Sequence, residues 1–144
     1  MSDTVFGGSG FGILVADDDE AIRHLLGIFL PMQGFNVWLA ADGNSALQLY
    51  KEHWRRIQAV LIDVLMPGRD GPETVALLRL VSPRLPCCFM TGDSGRYTPA
   101  ELYAAGATYI LTKPLSLQLV ESTLRQLCGT RWSASAGCKA VAAK

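Results

Sequence analysis

The sequence predicts an α/β fold built on a doubly wound, mostly parallel sheet with helices on both faces. Three observations predict it. Five short apolar segments recur along the chain, GILVA at 12–16, FNVWLA at 35–40, AVLI at 59–62, CCFM at 87–90 and YILT at 109–112. Four of the five lack a strong inside/outside alternation, as expected of strands covered on both sides. The stretches between them carry helical spacing with start and stop signals, so strand and helix alternate five times.

Taken in order, the first strand runs into the acidic run 17–20, after which Ile22, Leu25, Leu26 and Phe29 form a stripe at helical spacing. Pro31 and Gly34 close that helix. A second helix is predicted over residues 44–54, between the strands at 35–40 and 59–62. Pro72 suits an early helical position, with Val75, Leu78 and Val81 on one side and Pro83 beyond the end. Thr98-Pro99-Ala100-Glu101 has the form of a capping box with proline at the first helical position, and Gly106 stops the helix it opens. Ser116 caps a last helix that carries Leu117, Val120, Leu124 and Leu127 on one face and ends near Gly129. Right-handed crossovers then distribute the helices over both faces.

The 144 residues suit one domain. Residues 1–10, rich in Gly and Ser, are expected to be flexible, residues 11–129 to form the domain, and residues 130–144 to be a tail with a short helix at most and no output domain. Hydrophobic residues at 49% and charged residues at 18% support a packed core rather than disorder. Thirteen basic against thirteen acidic residues (Lys+Arg 13, Asp+Glu 13) argue against direct nucleic-acid binding through a broad basic surface. No apolar run approaches the ~18–20 residues that span a bilayer. The opening MSDTVFGGSGFG lacks the charge and apolar centre of a signal peptide. A cytoplasmic protein without membrane insertion is the expectation. Cys87, Cys88, Cys128 and Cys138 match no zinc or redox spacing and read as free thiols in a reducing compartment.

Parallel strands deliver whatever follows them to one edge of the sheet, where ligands bind. Asp17, Asp18 and Asp19 follow the first strand, Asp63 the third, Thr91 the fourth, and Lys113 with Pro114 the fifth. Two unit charges 4 Å apart are worth about 4 kcal/mol at an effective dielectric near 20, so clustered carboxylates call for a cation. Hard oxygen donors without His or Cys suit Mg²⁺. Asp63 could also act as a nucleophile toward phosphorus. Lys113 and Mg²⁺ could neutralise a transferring phosphoryl group while Thr91 hydrogen-bonds one of its oxygens.

ILVADDDE, LIDVLMPGRDG, MTGDS and GATYILTKPL, in this order and spacing, resemble the motifs of the response-regulator receiver domain of two-component signalling over roughly residues 11–129. The resemblance implies a flavodoxin-like (βα)5 three-layer sandwich with strand order 2-1-3-4-5. It further implies that Asp63 is the phosphoacceptor, that Asp17 and Asp18 are the acidic pair for Mg²⁺ with Asp18 the more direct ligand, and that the Leu65 carbonyl completes the protein's ligands. Thr91 is then the switch hydroxyl and Lys113 the phosphoryl partner, with a cis bond before Pro114 and room for the phosphoryl group at Gly92. The implied partners are a sensor histidine kinase or phosphotransfer protein and an unnamed downstream protein. The latter is met on the face of the fourth helix, fifth strand and fifth helix, where Tyr97, Leu102, Tyr103 and Ile110 are the candidates.

One departure is visible. Receivers place Tyr or Phe three residues before the lysine; here that position is Ile110 and the aromatic is Tyr109, which points to the opposite face. Three plainer roles sit beside the functional ones: Asp19 and Glu20 as helix-start residues, Asp70 as a turn or cap residue, and His24 and His53 as helix-surface residues. Two other functions compete with the receiver reading. An aspartate-nucleophile phosphohydrolase would want a second Asp where Leu65 stands, and an unphosphorylated receiver-like binding module would not need the acidic pair and Lys113. Apart from its own phosphorylation and dephosphorylation, no catalysis is expected.

Overall fold

A computed structural model describes residues 4–6, 10–92 and 96–136 of the chain. Its elements are, in order, β1 (Thr4–Phe6), β2 (Gly12–Ala16), α1 (Glu20–Met32), β3 (Asn36–Ala40), α2 (Gly43–His53), β4 (Ala59–Asp63), α3 (Gly71–Val81), β5 (Cys87–Thr91), α4 (Pro99–Ala104), β6 (Tyr109–Thr112) and α5 (Leu117–Ala136). The sheet order is β1-β3-β2-β4-β5-β6. β3 to β6 and β2 are mutually parallel, so these five strands follow the expected 2-1-3-4-5 order. β1 is an addition that alternation of apolar segments did not suggest: within the segment expected to be flexible, Thr4–Phe6 pairs antiparallel with β3.

The apolar continuity of the strands has a direct cause in the two cores. On β2, Ile13 and Val15 pack toward α1 and α5 while Leu14 and Ala16 pack toward α2, α3 and α4. β4 divides in the same way, with Ala59 and Leu61 on the first side and Val60 and Ile62 on the second. Both parities of each central strand are therefore buried, and each large side chain so covered contributes about 1.5–3 kcal/mol. A solvated strand face would have kept an alternation.

Helix starts are set by side-chain caps. Asp19 Oδ1 accepts from the Ala21 N–H, Asp42 Oδ1 from Ser45 and the Ser116 hydroxyl oxygen from Leu119. Asp70 and Thr98 each form a reciprocal capping box, with Glu73 and Glu101 respectively. Some apolar assignments shift by a residue. In α1 the buried residues are Leu26, Gly27 and Leu30, and Leu25 is 45% exposed because it lies off the 22-26-30 line that faces the sheet. Val81, at the last turn of α3, is exposed rather than packed with Val75 and Leu78. α5 passes through Gly129 and continues to Ala136, since a glycine inside an established helix only weakens it. His53 is half-buried, its ring 5.3 Å from that of Trp38, whereas His24 lies on the surface as expected. Cys87, Cys88 and Cys128 are buried and lie in no disulfide among the described residues; Cys138 and the tail beyond Ala136 lie outside the described residues. Among the described residues no helix is long and apolar enough to cross a membrane.

Candidate functional site at the carboxyl edge of the sheet

Strand register brings the chemistry-bearing residues level. Ala16 pairs with Ile62, so Asp17 stands beside Asp63; Asp63 pairs with Met90 and Thr91 with Thr112, so Thr91 and Lys113 follow one step outward. Carboxylate oxygens of Asp17, Asp18 and Asp63 all lie within 4.8 Å of one another. Asp17 is fully buried, Asp63 is 6% exposed and Asp18 faces solvent. Lys113 Nζ lies 3.0 Å from Asp17 Oδ2 and 3.3 Å from Asp63 Oδ1. The Lys113–Pro114 peptide is cis, as the resemblance implied.

Each acid is anchored by backbone. The Asp17 N–H donates to the Ala40 carbonyl (3.1 Å), its Oδ1 accepts from the Asp19 N–H (2.9 Å), and its own carbonyl accepts from Arg23 Nη1 (2.9 Å). Arg23 had no signal in the sequence beyond a helical position. Asp63 is backed by α3: the Gly71 N–H donates to the Val64 carbonyl (2.8 Å), and a Cβ at Gly71 would stand 2.4 Å from the Asp63 carbonyl oxygen. Only glycine permits that approach. Gly68, with φ +75°, turns the chain between the two, in a conformation that side chains with a Cβ disfavour.

The electrostatics follow from three carboxylates facing one ammonium. Burial pushes the Asp63 carboxyl up from 3.8 to about 6, with the Asp17 charge adding to the rise, Lys113 opposing it and Asp18 adding a smaller part. Burial would lower the Lys113 ammonium, but its bond and ion pair with Asp17 and then Asp63 outweigh this and raise it. Asp17 Oδ2 is buried and takes its polar contact from the Lys113 ammonium at 3.0 Å. The combination fits a hard divalent cation: three carboxylates within reach of one another, two of them buried, and no His or Cys with them among the described residues.

Residues 13–125 match the family described as the response regulator receiver domain. The chain belongs to that family. Receiver domains bind Mg²⁺ at an acidic pocket and exchange phosphoryl groups within two-component systems. A curated relative, the response regulator MprA of Mycolicibacterium vanbaalenii, is 37% identical over 115 residues, covering 80% of this chain and 49% of the relative. The uncharacterized transcriptional regulatory protein YrkP of Bacillus subtilis is 38% identical over 106 residues, 74% of this chain and 44% of the relative. This chain thus spans about half the length of these relatives. Among solved structures, the Vibrio cholerae chemotaxis protein CheY4 superposes with a TM-score of 0.76 at 30% identity, over 83% of this chain and 99% of that one. A response regulator receiver domain protein from Clostridium thermocellum shares the fold at a TM-score of 0.81 and 22% identity, over 87% and 99% of the two chains.

Of the remaining candidates, Thr91 is half-buried at the end of β5, and its hydroxyl donates to the Gly92 carbonyl at 3.2 Å. A Cβ built on Gly92 meets nothing within 4 Å, so the space beside it is open. Leu65 follows Asp63 by two residues and is 36% exposed. Ile110 packs toward the α2–α3–α4 core and Tyr109 toward the opposite one, its hydroxyl donating to Gln126 Oε1, so the two are on opposite faces as their adjacency required. Tyr103 is 53% exposed, but Leu102 is 1% exposed and is not available to a partner. It follows the Thr98 cap by one full turn, which rotates it onto the sheet. Asp70 caps α3 as expected, and also receives the Tyr97 hydroxyl at 2.6 Å, a contact between two loops that local sequence does not signal.

Proposed function

We propose that Asp63 of this receiver domain accepts a phosphoryl group from a histidine kinase or phosphotransfer protein, and that Lys113, Thr91, Asp17 and Asp18 serve that transfer. The observation that carries the reading is the placement of Asp63: a nearly buried carboxylate shared between two further acids and one ammonium, at the open edge of a parallel sheet. With its carboxyl at about 6, Asp63 is mainly ionised at neutral pH and can attack phosphorus. An O–P bond forms at an Asp63 carboxylate oxygen, the P–N bond to the donor imidazole breaks, and the imidazole keeps the electron pair. Lys113, held protonated by Asp17, offers positive charge to the phosphoryl oxygens. Thr91 can turn its hydroxyl from the Gly92 carbonyl toward a phosphoryl oxygen.

Asp17, Asp18 and Asp63, with the Leu65 carbonyl, are the groups that would hold Mg²⁺, which would supply charge neutralisation at the transferring phosphoryl group. The output is a change in protein contact on the face of α4, β6 and α5, where Tyr103, Ile110 and the Tyr97 ring stand. Leu65 at the position where a phosphohydrolase would want a second acid weighs against turnover of small phosphate esters.

The test is incubation with a small phosphodonor and Mg²⁺ followed by intact mass measurement. One phosphoryl adduct should form, and it should be lost in Asp63→Asn and in chelator. An adduct that persists in Asp63→Asn would refute the assignment, steady phosphate release from varied esters would favour the hydrolase, and no adduct together with no response to beryllofluoride would favour an inert binding module.

A further inference from the structure

Two loops at the carboxyl edge, one after β4 and one after β5, are joined by a side-chain bond. The Tyr97 hydroxyl donates to Asp70 Oδ2 at 2.6 Å. Asp70 is only 4% exposed, and its other carboxylate oxygen is already engaged by the Glu73 N–H at 2.9 Å. The next residue, Gly71, lies close against the Asp63 carbonyl, and its N–H donates to the Val64 carbonyl. A shift of Asp70 is therefore felt at the backbone of Asp63. Toward the other side, Tyr97 immediately precedes Thr98, whose hydroxyl oxygen accepts from the Glu101 N–H (3.1 Å) and whose N–H donates to Glu101 Oε1 (2.8 Å) to start α4. The Tyr97 ring packs on the α2–α3–α4 core, as does Ile110.

A tyrosine needed only for its ring would leave its hydroxyl to water. Here the hydroxyl meets a nearly buried acceptor, and the bond to Asp70 raises the phenol above its ordinary value. Ile110 has no group that could make such a link. We propose that Tyr97 is a positioning residue which, through Asp70, fastens the segment entering α4 to the loop of the phosphoacceptor and sets how readily the resting domain yields to phosphorylation. This rests on the assignment of Asp63 above. Releasing the tie frees the start of α4 from the loop of Asp63, and so eases a change that phosphorylation makes between them.

The experiment uses the full chain and beryllofluoride with Mg²⁺ as the probe. Tyr97→Phe keeps the ring and deletes the bond. It should bind the probe about tenfold more tightly than the parent, the scale of a typical coupling between sites. It should also show faster amide exchange in α4 around Leu102 before the probe is added. Asp70→Asn preserves a helix cap and removes the charged acceptor, so combined with Tyr97→Phe it should add little to either single change. In Asp70→Asn the Tyr97 phenol should ionise at lower pH by ultraviolet titration, a signature that loss of packing would not produce. Equal or weaker probe binding in Tyr97→Phe, with the parent binding normally, overturns the proposal and leaves the Asp63 assignment intact. If the parent itself does not bind the probe, the Asp63 assignment fails; faster α4 exchange in Tyr97→Phe then still supports the tie, and unchanged exchange overturns it.

Discussion

Replacing the proposed phosphoacceptor by its neutral isostere, Asp63→Asn, should make the metal-free protein more stable at neutral pH. The carboxylate oxygens of the cluster lie within 4.8 Å of one another, so each like pair costs about 3.5 kcal/mol or more at an effective dielectric near 20. Lys113 at 3.3 Å returns about 5 kcal/mol to Asp63, which largely offsets the repulsion from Asp17 and the solvent-facing Asp18. Burial decides the sign, and the rise of the carboxyl from 3.8 to about 6 corresponds to about 3 kcal/mol. Asp18 faces solvent and its share is screened, so a gain of about 1–2 kcal/mol is expected, or roughly 3–8 °C in Tm. The pH dependence has a fixed sign. An acid whose folded pKa lies above its unfolded value favours folding fully below the unfolded value and loses that contribution as pH rises through the folded one. The advantage of Asp63→Asn should therefore be absent below pH 3.8, grow up to about 6 and stay level above it. Thermal melts across this range in chelator measure it, and saturating Mg²⁺ should narrow the gap by stabilising the parent. A variant no more stable than the parent at neutral pH, or a gain that does not change with pH, would refute the electrostatic account.

Mg²⁺ itself should stabilise the parent by about 2.7 kcal/mol at one hundred times its Kd, read as a concentration-dependent rise in Tm, and Asp17→Asn should abolish the response. Gly71→Ala should cost about 1–3 kcal/mol in denaturant unfolding and slow phosphorylation, because its Cβ meets the Asp63 carbonyl oxygen at 2.4 Å. Leu102→Ala should cost about 2–5 kcal/mol, whereas Tyr103→Ala one position later should lie within about 0.5 kcal/mol of the parent, which distinguishes the buried from the exposed side of α4.

The parts of the fold legible in the sequence were those where local chemistry and tertiary placement agree. The parallel strands could be read because burial on both faces keeps the middle of each central strand apolar, and the starts of α3 and α4 because Asp70 and Thr98 carry their caps within three residues. The acidic cluster was legible for a topological reason: parallel strands export their ends to one edge, so Asp17, Asp63 and Lys113 could be brought together without knowing any distance. What escaped was decided by contacts remote in sequence. Thr4–Phe6 became a strand because β3 offered an edge, a matter of partner rather than propensity. Leu102 was assigned to the surface because a short helix has too few residues to show which arc faces the sheet. The Tyr97–Asp70 bond spans twenty-seven positions, the separation 97 minus 70, and neither residue type announces the other.

The antiparallel Thr4–Phe6 strand gives the sheet two unequal borders. One side carries the antiparallel Thr4–Phe6 strand, while the other ends on the parallel strand β6. An association that extended the sheet by backbone hydrogen bonds at the β6 margin would lie beside the helices through which the phosphorylated state would be reported. Self-assembly by strand addition and signal output would then compete for the same flank.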